Sequence, residues 1–174
     1  MRNAFPLSRQ HDSMQCGAAC LQMICRHYGR SYGVHFLSRM CGVSKVGVSL
    51  TGISRAAEQL GFDTFCCKIS AGDLSNAPLP CVLHWNQNHY VVLYKIKNGR
   101  RFCVADPGKG KLCLSYQEFV SHWASIHEGD GSKGIAMFLQ TTERFGSVDE
   151  PMEERPDWFG FLKGYISGYS RQFI

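Results

Sequence analysis

Apolar residues recur at helical spacing over the first third of the chain and at alternate positions after it. Following Cys16, the residues Ala19, Cys20, Met23 and Ile24 fall three and four apart and Gly29 supplies a stop, which predicts a helix over 16–28 with one buried face. A second short helix is predicted over His35–Cys41, closed by Gly42. A third runs from about Thr51 through Ile53, Ala56, Ala57 and Leu60 to Gly61. From Phe62 the period drops to two. Phe62, Thr64, Cys66 and Lys68 read as a strand, Asp73-Leu74 as a turn or single helical turn, and Pro78-Leu79-Pro80 as the lead into a strand over Cys81–Trp85. HYVVLYKIK (89–97) and RRFCVAD (100–106) flank Asn98-Gly99, the preferred two-residue type I′ hairpin turn. A strand over Lys111–Leu114 leads to Ser115, which with Glu118 makes a capping box for a helix through Trp123, and Gly134–Thr141 reads as the last strand. Helices first and antiparallel strands later predict an α+β fold over residues 1–145.

Pro151, Pro156 and the acidic residues Asp149, Glu150, Glu153 and Glu154 mark residues 146–157 as a linker. Beyond it, residues 158–174 place Trp158, Phe161, Leu162, Tyr165, Tyr169 and Phe173 on one helical face, and Gly160, Gly164 and Gly168 on a stripe that allows close packing. The pattern fits an interfacial amphipathic helix and a helix docked on the same domain equally well.

Composition narrows the class. With 44% hydrophobic and 19% charged residues the chain is globular. No apolar stretch in MRNAFPLSRQHDS has signal-peptide length and no run reaches membrane-span length, so a cytoplasmic domain is expected. Nine cysteines, an odd number without an export signal, argue against a disulfide framework; Cys20, Cys25, Cys41, Cys81, Cys103 and Cys113 are expected to be packing residues. The net charge of +5 comes without a Lys/Arg run or an aromatic–basic repeat, which argues against a nucleic-acid partner. No C-x-x-C pair is present, and no metal or cofactor is expected.

The candidate chemistry starts at Cys16, where a polar turn gives way to the first helix. Unpaired N–H groups and the positive helix end favour a thiolate there, the reactive form of cysteine. With a two-residue loop at 98–99, opposed residues of the hairpin sum to 197, so Val91 faces Asp106 and His89 lies diagonal to it on the same face. An aspartate so placed accepts the imidazole N–H of His89 and leaves the other ring nitrogen for Cys16; a bulge in either strand would break this inference. Gln10, six residues before Cys16, carries an NH2 group suited to an oxyanion, with the Cys16 N–H as second donor. Each residue also has a structural reading: Cys16 as core, His89 as a capping or core histidine, Asp106 before Pro107-Gly108 as a turn residue.

Three blocks in order, QHDSMQCGAACLQMICRHYG, NHYVVLYKI and FCVADPGKG, resemble the bacteriocin-processing double-glycine peptidases, the N-terminal domains of peptidase-containing ABC transporters. The resemblance covers roughly residues 5–145. It implies a papain-like fold, a helical half packed on an antiparallel sheet, with Cys16 as nucleophile, His89 as base, Asp106 as orienting acid and Gln10 as oxyanion donor. It further implies cleavage of leader peptides of bacteriocin and lanthipeptide precursors after Gly-Gly or Gly-Ala, the leader being held as an amphipathic helix. Trp85 and Asn88 are candidates for lining a narrow channel beside the thiol. The partners implied are the precursor peptide and the membrane and ATP-binding parts of a transporter, absent from these 174 residues, which would tether the domain to the cytoplasmic side of the membrane. Residues 158–174 would be the helix leading into the first span. Gln15 departs from the aspartate that many members carry before the cysteine. Some relatives lack the cysteine and only dock substrate, so the alternative reading is a silent leader-binding module; the presence of Cys16 favours activity.

Overall fold

The computed structural model describes residues 4–128 and 131–151. Three helices come first: α1 (Cys16–His27), α2 (Val34–Cys41) and α3 (Leu50–Gln59). A 3-10 turn over Ser13–Gln15 precedes α1, and Asp12 caps it by accepting from the Met14 N–H. Gly42 takes the left-handed conformation that ends α2, and the Ser49 hydroxyl caps α3 at the Gly52 N–H. The remainder is β1 (Phe62–Ser70), α4 (Ala71–Leu74), β2 (Cys81–Trp85), β3 (His89–Lys97), β4 (Arg101–Asp106), β5 (Gly110–Ser115), α5 (Tyr116–Trp123), β6 (Ile126–Glu128) and β7 (Gly131–Thr141). The capping box of Ser115 and Glu118 is present in both directions.

The strands form one antiparallel sheet in the order β1-β7-β2-β3-β4-β5, with β6 paired to β7. Both faces are covered. Helices α1–α3 pack against Val82, Tyr90, Val92 and Met137, whereas α5 packs Phe119 and Trp123 against Leu83, Val91, Phe102 and Val104 on the opposite face. Central strands therefore bury alternate residues on both sides, and β4 is buried at every position but its first.

The structure departs from the sequence expectations at four points. Helix α1 is buried all round: its first ten residues, Cys16 to Cys25, are all inaccessible. Gly17, Ala18 and Ala19 are small enough for α1 to touch α2 and α3 on one side and β3 on the other. A Cβ at Gly17 would come within 2.5 Å of both Val48 and Ile53, so no side chain fits there without displacing α3 or the preceding loop. Second, Cys103 and Cys113 are not packing thiols but a disulfide joining directly opposed residues of β4 and β5. Third, the three-residue strand β6 is too short to show a period and was not expected. Fourth, the β3–β4 hairpin carries two irregularities. Asn98 and Gly99 both have positive φ, as a type I′ turn requires, but Arg100 joins the loop and opposed residues near it sum to 198. A bulge at Tyr94 then returns the register to 197 at Val92↔Ala105. The two slips cancel, and the far end of the hairpin has the register that a regular two-residue loop would give.

Of the 146–157 segment, residues up to Pro151 are described, and they run along the helical half. Arg30 donates to the Gly146 carbonyl, the Tyr32 hydroxyl to the Val148 carbonyl at 2.9 Å, and the Gly33 N–H to Glu150 Oε2 at 2.6 Å. The helix expected over 158–174 lies outside the described residues. None of the described helices is long and apolar enough to cross a membrane.

Candidate active site

Cys16 is the first residue of α1, and the preceding Gln15 gives the helix no side-chain cap. The 3-10 turn over Ser13–Gln15 runs directly into α1, and the positive side of the helix dipole lies towards the thiol. The sulfur is 4% exposed and free. Opposite it, at the start of β3, the His89 ring lies within hydrogen-bonding reach of the thiol. His89 Nε2 is 2.8 Å from Asp106 Oδ1, at the end of β4. With Nε2 turned to the carboxylate, Nδ1 is the nitrogen left for Cys16. The aspartate and the histidine come together from the two ends of the hairpin whose slips cancel.

Asp106 is 2% exposed and its Oδ1 also accepts the Gly108 and Lys109 N–H groups, at 2.8 and 3.2 Å. The turn-residue reading and the orienting-acid reading of Asp106 thus describe one oxygen. Burial opposes ionisation of this carboxyl, but the hydrogen bonds from His89, Gly108 and Lys109 outweigh it and hold its pKa below the ordinary value. Burial also disfavours an imidazolium at His89. Its hydrogen bonds to Asp106 and Cys16 and the charges behind them prevail, and its pKa is pushed up to about 9.

Gln10 is brought alongside by backbone: its N–H donates to the Pro107 carbonyl at 3.1 Å, and Arg9 reaches the Gly108 carbonyl. Its Oε1 is buried with no partner, and its amide lies over the Gly108 turn next to Asp106. The segment before the cysteine and the turn after the aspartate are thus stitched together. Trp85 and Asn88, with Gln10, His89, Asn86 and Lys109, line a polar cleft of about 340 Å³. Trp85 is itself buried, stacked on His122 at 5.4 Å and packed on Phe119.

Three residues that shape the site were not singled out from the sequence for this role. His122 ties α5 to the β2–β3 turn: its carbonyl accepts the Asn86 N–H and its Nδ1 lies 2.9 Å from Asn86 Oδ1. Asn86 and Gln87 both have positive φ, and this clasp holds the turn that delivers His89. Tyr90, the next residue along β3, points to the opposite face, where it packs in the same core as Cys16. A polar residue inside a positive-φ turn is a readable signal for Asn86; nothing in the spacing of His122 or Tyr90 marks them. Among the described residues, no three His, Cys, Asp or Glu side chains converge as a metal site would require.

Comparison with known proteins shows the family and the fold. The chain is 35% identical to a probable microcin-H47 secretion/processing ATP-binding protein, MchF, of Escherichia coli over 125 residues, 72% of this chain and 18% of the relative. It spans under a fifth of the length of the curated relatives it matches. Among solved structures it is similar to a double glycine motif protease from an AMS/PCAT transporter in complex with the leader peptide, with TM-score 0.69, 28% identity and coverage of 79% of this chain and 91% of that one. The peptidase domain of Streptococcus ComA, a bifunctional ABC transporter of a quorum-sensing pathway, aligns with TM-score 0.69, 27% identity and coverage of 80% and 100%. The α+β arrangement is the papain-like one of these peptidase domains. The Peptidase C39 family model matches residues 4–127, and with a thiol at a helix start facing a histidine–aspartate pair across a sheet end, the chain belongs to that family.

Proposed function

We propose that this chain is a cysteine endopeptidase that removes leader peptides after a double-glycine or Gly-Ala pair from bacteriocin- and lanthipeptide-type precursors, as the processing part of a peptide exporter. The observation that carries it is the His89–Asp106 contact beside the Cys16 thiol. Residues 1–145 are the peptidase unit, and the membrane and ATP-binding parts of an exporter are its partners on the cytoplasmic side.

The thiolate of Cys16 attacks the carbonyl carbon of the second small residue. The oxygen takes the negative charge and is held by the Gln10 NH2 and the Cys16 N–H. The His89 imidazolium gives its proton to the departing amine as the C–N bond breaks, which frees the cargo and leaves the leader as a thioester on Cys16. Water then adds to the thioester carbonyl, its proton passes to His89, and the C–S bond breaks to release the leader carboxylate. Asp106 keeps the ring oriented through both steps. On the helix side, Gly17 packed under Val48 leaves little room beside the thiol, which suits two residues without bulky side chains.

The rival reading is a leader-binding module without activity. Incubating the domain with a precursor bearing a Gly-Gly leader and following mass separates the two. Scission after the second glycine is expected, and Cys16→Ala is expected to lose at least about a thousandfold in rate while binding the leader within a few-fold of the original. Binding without scission by the unaltered chain would leave only the rival.

A further inference from the structure

The two flanks of the thiol differ in chemistry. On the α1–α3 side Cys16 shares an apolar core with Tyr90, Val48 and Leu50, and Gly17 lies against Val48. On the α5 side, the polar cleft touches both His89 and Gln10 and runs out past Asn86 and Asn88 to Lys109. Reaction geometry decides which part of a peptide uses which flank. The group that protonates the leaving amine must lie against the nitrogen of the broken bond, so residues on the C-terminal side of that bond pass beside His89.

Charge in the cleft is one-sided. Lys109 is exposed; its N–H is spent on Asp106, but its ammonium has no ion-pair partner among the described residues. Arg9 stands nearby on the Gly108 carbonyl. Of the acids in the vicinity, Asp106 is paired with His89 and accepts two N–H groups, and Asp12, which caps the turn before α1, does not line the cleft.

We infer that this cleft is the subsite for the first residues of the released cargo, and that Lys109 makes it favour acidic or neutral polar side chains there over basic ones. The inference rests on the peptidase reading above and adds to it a selectivity on the cargo side of the cut. Trp85 forms the floor, fixed by His122 and Phe119, while Asn86 and Asn88 offer amides to the cargo backbone.

The test uses precursors with one leader and a Gly-Gly junction that differ only in the two residues after it: Asp-Asp, Asn-Asn or Lys-Lys. The readout is the ratio of kcat/KM for the acidic over the basic precursor. For the unaltered chain that ratio is expected at about three- to tenfold and to shrink as salt is raised, as an exposed charge contact must. In Lys109→Ala it is expected to fall below about twofold, and in Lys109→Glu to invert. A ratio that persists in Lys109→Glu overturns the subsite even though cleavage proceeds. Absence of cleavage of all three precursors by the unaltered chain would instead overturn the peptidase reading. Because each ratio is taken within one variant, a general loss of activity or folding in Lys109→Glu does not affect it, and Lys109→Ala supplies a second, milder reading.

Discussion

The site is assembled by two regions that hold their residues in place by different means. The helical half positions Cys16 by close packing, with ten consecutive buried residues and a glycine pressed against two side chains of the next helix and its leading loop. The sheet end positions His89 and Asp106 by hydrogen bonds in turns: the Asn86–His122 clasp on one side and the three donors to Asp106 Oδ1 on the other. Packing leaves the nucleophile one position and makes change there costly in stability. A polar network can lose a member and keep its shape, so change there alters proton affinity and rate first.

Substitutions separate these two behaviours. The largest effect beyond loss of the thiol itself is expected from Gln10→Ala, which removes an oxyanion donor from the polar side. A fall in kcat of about a hundred- to a thousandfold, with an unchanged melting temperature, is expected from single-turnover assays and a thermal scan. An unchanged rate would assign the oxyanion to other donors. Next comes Asp106→Asn, which keeps an acceptor for His89 and for the turn but removes the charge. We expect roughly a ten- to hundredfold loss in kcat/KM together with a shift in its pH profile. In the unaltered chain the imidazolium is lost as pH rises through about 9, which sets the alkaline limb. Without the carboxylate its pKa falls, so the limb must move to lower pH; a limb that stays in place would show that His89 is not the titrating group. The same raised pKa contributes stability that is fully present below about 6.5 and lost as pH rises through about 9. The smallest effect on turnover is expected from Gly17→Ala, on the packed side: a loss of about 1–3 kcal/mol in stability, seen as a lowered denaturation midpoint, with activity per folded molecule reduced only a few-fold. A large rate loss without destabilisation would blur the contrast between the two halves.

Much of this was legible in the sequence because it rests on local rules. Gly42 as a helix stop, Ser115 with Glu118 as a capping box, and Asn98-Gly99 as a turn all act over three or four residues, and all are present. What was not legible depends on contacts between elements. Tyr94 is bulged out of β3, and no pattern in HYVVLYKIK singles it out; the diagonal pairing of His89 and Asp106 survived only because Arg100 offsets it. The burial of α1 on every side follows from what packs on Gly17–Ala19, and small residues carry little weight in a periodicity reading. The Cys103–Cys113 bond required the register of β4 on β5, and that register rests on a three-residue loop over 107–109; a two-residue Pro107-Gly108 turn would have set Cys103 against Leu112. The role of His122 likewise comes from a contact between elements, its stand over the turn before His89.

The bonds from residues 146–150 to Arg30, Tyr32 and Gly33 also set where load enters the domain. They meet the loop that follows α1, where the buried Gln22 side chain donates to the Tyr32 carbonyl, while Cys16 sits at the helix's other end, about 18 Å away at 1.5 Å per residue. A pull applied at Pro151 is therefore taken up by three anchors on the side of the domain remote from the thiol. Load entering there bypasses the spacing between Cys16 and His89.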